Sequence, residues 1–339
     1  TLVNVRVEDN ICSHQQGFYT TTVAAGPGAN SPGLNAVGCF ISNNTCGSIG
    51  YVISGEPSDE SEFSQLNLTQ GLTIKKNNCY AISNFFYICN LILDVDSSDY
   101  GFGHVAIKDN HAHWIATQAL DVPDGYCFSS LIIDGNVIDG YDDSYLDLFT
   151  PAIPNYALAV YHLHASIKSS AIITNNVINF GRFDGVTYGY DRGIHADCSA
   201  TISNNTIRGL NASSRGINVQ GGDGAALRYY TICQNQIYRG TASIDSYIKM
   251  PSSGTKSSGI CTDNFFDSTT IDGADLDVAP NASNTFIVTR NKNQTFTYLV
   301  PTYSGQYTLS NAADGYVLDG TVANNNYVSN TSIGASGQV

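Results

Sequence analysis

The sequence predicts an all-β chain: a right-handed, single-stranded parallel β-helix (a solenoid) closed by a β-rich C-terminal cap. Three observations predict it. Short apolar-alternating segments that end in an Asn-containing turn return along most of the chain. The segments keep their length while the stretches between them vary, as in a stack of coils with loops of different size. Only 13% of the 339 residues are charged, with one Met, one Trp, 32 Gly and 21 Tyr, which excludes both a disordered chain and a helical bundle.

The repeating segments, in order, are VRVEDNIC (5–12), CFISNNTC (39–46), LTIKKNNC (72–79), VAIKDNHA (105–112) and LIIDGNVI (131–138). AIITNNVI (171–178), ATISNNTI (200–207), YTICQNQI (230–237) and GICTDNFF (259–266) continue the series. Anchored on Asn10, Asn44, Asn78, Asn110, Asn136, Asn176, Asn205, Asn235 and Asn264, successive coils lie 26 to 40 residues apart. A unit this short cannot bury its own apolar face, but stacked coils bury a continuous interior. Ile41, Ile74, Ile107, Ile133, Ile173 and Ile202 are the expected inward residues. The Asn is expected to take the left-handed conformation at the bend and to bond to the Asn of the next coil. Beyond about Pro280 the pattern fades into Thr-, Tyr- and Ser-rich sequence, so residues 1–280 are assigned to the β-helix and 281–339 to a cap or trimerisation segment.

A net charge of -14 and a pI of about 4.6 exclude nucleic acid as a partner, because phosphate binding needs clustered Lys and Arg. No apolar run reaches the length of a bilayer span, the longest being 85–93 and 156–163, so no membrane insertion is expected. The chain opens at Thr1 directly into a strand-like run, which reads as a trimmed fragment. Nine cysteines is an odd count. Cys12, Cys46 and Cys79 follow the repeat Asn where other coils carry Val or Ile, and read as small buried hydrophobes.

The xIxxNxI repeats at this period resemble the pectin-lyase-like β-helix superfamily, and the low charge and free cysteines look most like the central domain of a bacteriophage tailspike. The resemblance covers roughly residues 1–280 and rests on the repeat, without a catalytic signature. It implies a homotrimer in a phage virion or another extracellular setting, acting on bacterial surface polysaccharide such as capsule or O-antigen. The order of Gly101-Phe102-Gly103-His104 and Asp142-Asp143, with no Arg-Ile-Lys after them, departs from the polygalacturonase pattern. With 15 Lys and Arg in the chain, the calcium and basic-residue set of pectate lyases is not carried over either.

Candidate chemistry lies on a further strand between successive anchors. Aligning these strands on Val95, Val122, Leu163, Ile194, Ile217 and Ile248 as inward residues places Asp94 and Asp96, Asp121, His162 and His164, His195 and Asp197, Asn218 and Gln220, and Tyr247 and Lys249 on the outer face. Residues i and i+2 of one strand share a face, and the next coil is about 4.8 Å away. Carboxyl pairs at glycosidase separations are therefore available. Asp94, Asp96 and Asp121 are the expected acid and base, and repulsion between them would raise one pKa. His164, His195 and Asp197 form a second candidate cluster, with Asp197 orienting His195 as a base. Arg192 and Lys249 are expected to hold an acidic substituent, and Trp114, Tyr188 and Tyr190 to stack on sugar rings.

A wet outer strand also carries Asp, Asn and Lys for solubility alone. His111-x-His113 and His162-x-His164 lack a third ligand, the Asp139, Asp142, Asp143 and Asp147 group reads as a solvated loop, and Gly-Gly-Asp-Gly at 221–224 precedes no helix. No metal and no cofactor are expected. The leading expectation is an endo-acting polysaccharide depolymerase of the glycosidase type, hydrolysing a neutral or weakly charged bacterial glycan, with two alternatives. One is a lyase using His195 or Lys249 as base on a uronic acid; the other is a non-catalytic glycan-binding spike.

Overall fold

A computed structural model describes residues 2–11, 18–21, 36–37, 39–52, 54–55, 72–88, 101–120, 127–140, 156–162, 170–180, 191–210, 214–221, 227–240, 244–250, 257–267, 276–277 and 284–292. These residues wind as a parallel β-solenoid, with strands and no helices. One wall is a ten-stranded sheet in which neighbours in space are neighbours in coil order. Its strands are Arg6–Glu8, Cys39–Ser42, Leu72–Lys75, Gly101–Lys108, Cys127–Asp134, Ser170–Thr174, Ser199–Ser203, Arg228–Cys233, Ser257–Thr262 and Asn284–Thr289. After each of these the chain bends, runs through a short strand such as Val137–Asp139 or Thr206–Leu210, and then enters another such as Tyr156–His162 or Arg215–Val219. The short and the returning strands form two further walls, which Asn78–Ile88 joins by pairing with both.

The alternation of the sequence fills the interior in columns. On the ten-stranded wall Ile41, Ile74, Ile107, Ile133, Ile173, Ile202 and Ile232 lie in register, each at most 1% exposed. On the returning wall the column is Ile115, Leu158, Ile194, Ile217 and Ile248, all at 0%. Burial of each such side chain contributes roughly 1.5–3 kcal/mol, and stacking like on like keeps every coil in the same phase. Cys46 and Cys79 are directly in register and buried, as their place among aliphatic residues predicts. Cys12 lies outside the described residues.

The Asn ladder follows the bend through ten coils, from Asn10 to Asn291, and its third rung is Asn77 where the sequence pattern points to Asn78. Asn176 shows the bonding. Its backbone N–H and its amide both donate to Asn205 Oδ1, at 3.0 and 2.9 Å, and its Oδ1 accepts the same pair from Asn136. The amide also donates to the carbonyls of Ile133 and Thr174. The side chain's hydrogen-bonding capacity is thus used within the protein. The left-handed residue is not the ladder Asn but the one before it: Asp9, Asn43, Lys76, Asp109, Gly135, Asn175, Asn204, Gln234, Asp263 and Arg290 all have φ between 53° and 68°. That residue turns the chain, and the Asn after it can then point inward to its neighbours.

Asn284–Thr289 and Asn291 lie past Pro280, so the ladder runs further than the sequence periodicity shows. Residues 293–339, where the C-terminal cap or trimerisation segment is expected, lie outside the described residues.

Candidate functional site

Register decides which expected residues share a face. His195, Asn218 and Lys249 are consecutive partners on the returning wall, and Asp277 follows them. The preceding coil differs from expectation. Leu158, and not Leu163, is the register partner of Ile194, so Ala159 occupies the position equivalent to His195. His162 pairs instead with Ala119, at the far end of its strand. The phase was illegible because Ala157, Leu158, Ala159 and Val160 are all buried, leaving no in/out alternation to read. Asp94, Asp96, Asp121, His164, Tyr188 and Tyr190 lie outside the described residues. Trp114 is partly buried and packs against the core. Tyr247 is also buried, its hydroxyl donating to Asp267 Oδ1 at 2.8 Å.

Two successive strands carry the same local motif, Arg-Gly-Ile followed by His195 in one and Asn218 in the next. Arg192 and Arg215 are register partners, as are His195 and Asn218. Each arginine reaches the residue three positions on: Arg192 Nη1 to His195 Nδ1 at 3.4 Å, and Arg215 Nη1 to Asn218 Oδ1 at 3.5 Å. Asn218 Nδ2 donates to His195 Nδ1 at 2.9 Å, and Tyr156 stacks on the imidazole with centroids 6.0 Å apart. Arginine and the Asn amide nitrogen only donate, so Nδ1 is the acceptor and the imidazole proton is assigned to Nε2. The glycines let the strands close up. A Cβ on Gly193 would sit 2.7 Å from the Gly216 carbonyl, and one on Gly216 would sit 2.6 Å from that of Tyr247.

His195 is fully enclosed, and burial together with Arg192, Arg215 and Arg228 pushes its pKa down to about 3. It is therefore a neutral group at ordinary pH, held beneath the arginines. The expected Asp197–His195 pairing does not form. Asp197, two residues further on, is tied to Arg228 in a buried ion pair whose side chains are 9% and 2% exposed. Arg228 also donates to the Gln220 carbonyl, which accepts the Tyr230 hydroxyl as well. Burial raises the Tyr230 pKa and lowers that of Arg228. Asp197 therefore serves this enclosed network and is not an open carboxylate.

Sequence reasoning missed Arg215, Arg228, Tyr156 and Asp245. The doubled Arg-Gly-Ile motif was the available signal for Arg215. Arg215 Nε donates to Asp245, while among the described residues Arg192 has no acid partner and its buried Nε–H has no hydrogen-bond acceptor. Lys249 is half-buried beside Asn218. The wall thus presents Arg192, Arg215 and Lys249 over a neutral floor of His195 and Asn218, an arrangement suited to binding polar or anionic groups along the solenoid axis. Among the described residues no group of three or more His, Cys, Asp or Glu is placed to hold a metal ion.

No protein-family model, curated protein or solved structure matches the chain. The parallel β-solenoid itself is consistent with the pectin-lyase-like superfamily.

Proposed function

We propose that this chain recognises and depolymerises a bacterial surface polysaccharide in the manner of a phage tailspike, with the glycan lying along the outer face of the returning wall. The supporting observation is the in-register set of Arg192, Arg215, Asn218 and Lys249 on three consecutive strands. Strands about 4.8 Å apart repeat polar contacts along the axis, as an extended polymer requires. Cleavage by hydrolysis needs a carboxyl pair, and Asp94, Asp96 and Asp121 are the residues proposed for it.

The test incubates the chain with a panel of capsules and O-antigens and follows reducing ends and product size, comparing wild type with Asp94→Asn, Asp121→Asn and Lys249→Ala. Defined oligosaccharides that disappear in a folded Asp variant support the glycosidase. Products absorbing in the ultraviolet would assign the cleavage to elimination. Binding of a glycan without any cleavage would replace the enzyme by a recognition spike, and neither binding nor cleavage across the panel would remove the polysaccharide reading.

A further inference from the structure

We infer that Arg192 anchors a carboxylate-binding site, so that the polysaccharide taken by this wall carries an acidic sugar; the inference rests on the polysaccharide reading above. A half-buried guanidinium normally has an acid beside it, because removing a charge from water without compensation is expensive. Arg215, its register partner one coil away, follows that rule through Asp245. Arg192 does not: its contact is Nη1 to the acceptor nitrogen of His195, and its Nε–H is buried without an acceptor. In a chain of net charge -14, acids are plentiful, and among the described residues none is placed against this group.

The floor beside Arg192 carries no charge of its own. His195 and Asn218 hold each other through the 2.9 Å bond and add no negative charge. Lys249 stands one coil beyond Asn218 on the same face. A carboxylate matches a guanidinium edge in shape and in donor spacing, and would supply the acceptor that Nε–H lacks. A neutral sugar offers hydroxyls, which leave the charge uncompensated.

The experiment measures binding of the full chain to alginate, hyaluronan, polysialic acid and any glycan found in the panel above, each beside its carboxyl-reduced form, with dextran sulfate as a probe of charge alone. Arg192→Gln and Arg192→Lys are compared with wild type and with Arg208→Gln, an exposed cation on a different wall. The expected result is that a bound carboxylated glycan loses about tenfold or more in affinity on carboxyl reduction and on Arg192→Gln. Arg192→Lys should recover only part of that loss, and Arg208→Gln should bind as wild type. Equal binding of a glycan and its carboxyl-reduced form, or an Arg192→Gln variant that binds as wild type, overturns the inference while leaving the polysaccharide reading intact. Dextran sulfate bound as well as any carboxylated glycan would reduce the site to unspecific charge attraction and also overturn it. Absence of binding to every glycan, neutral or acidic, defeats the polysaccharide reading itself.

Discussion

Two outer faces of the same solenoid follow opposite rules. On the returning wall the polar residues His195, Asn218 and Asp197 are 0%, 4% and 7% exposed. On the ten-stranded wall, over the same coils and beyond, the outer positions are Ser170, Ile172 and Thr174, then Ser199, Thr201 and Ser203, then Tyr229, Thr231 and Cys233, then Ser258, Ile260 and Thr262. None of these is Asp, Glu, Lys or Arg, and Ile172, Tyr229, Ile260 and Ile287 are 42–52% exposed. One face encloses polar groups in a bonded network, and the other leaves apolar groups in contact with solvent. The backbone repeat is common to both, so it is the outward side chains that give each wall its chemistry. The enclosed wall should be intolerant of change and the open one tolerant.

The largest effect is expected at Asp197. Asp197→Ala leaves Arg228 buried without its counter-charge and should destabilise the chain by about 3–5 kcal/mol, read as a shift in the urea denaturation midpoint. The double change Asp197→Leu with Arg228→Met should recover most of that loss, since the pair's desolvation then disappears with its attraction. A single Asp197→Ala variant as stable as wild type would show the network to be unimportant.

Asn205→Ala removes the acceptor for two donors of Asn176 and the donors to Asn235 and Ile173. A loss of roughly 2–4 kcal/mol is expected from the orphaned buried groups, measured in the same way. The same change at the exposed first rung, Asn10, should cost less, because water can replace its partners there.

His195 gives the enclosed wall a pH signature. Its pKa is about 3 in the folded chain against 6.5 for a free imidazole, so between those values the unfolded chain binds a proton that the folded chain refuses. Stability from this group is complete above about pH 6.5 and falls as the pH drops towards 3, by at most about 1.4 kcal/mol per pH unit. Arg192, Arg215 and Arg228 are the cations that act on the ring. Subtracting the pH dependence of a His195→Gln variant from that of wild type isolates the term; identical slopes would mean that the imidazole is protonated in place.

The smallest effect is expected on the open face. Ile260→Thr should change stability by no more than about 0.5 kcal/mol, and a larger loss would reveal that this wall is covered in solution.

Much of the fold is legible in the sequence. The inward Ile columns, the buried Cys46 and Cys79, and the outer alignment of His195, Asn218 and Lys249 all follow from period-two alternation between recognisable bends. Legibility failed where a local cue was degenerate. Asn77 and Asn78 are adjacent and chemically identical, so either suits the ladder on paper. The run from Ala157 to Val160 is apolar on both parities, so the strand that carries His162 could be shifted without penalty.

What the sequence by itself determined is therefore the architecture of each coil: which residues turn inward, where the chain bends, and that coils stack. Only the tertiary structure decided which side chains bond to one another between coils. The Arg192–Arg215 pair, the Asp197–Arg228 network 31 residues apart, and the enclosure of His195 are examples. The physical reason is that alternation fixes phase within a strand, while loops of unequal length lie between strands, and only the hydrogen bonds from coil to coil fix the register across them.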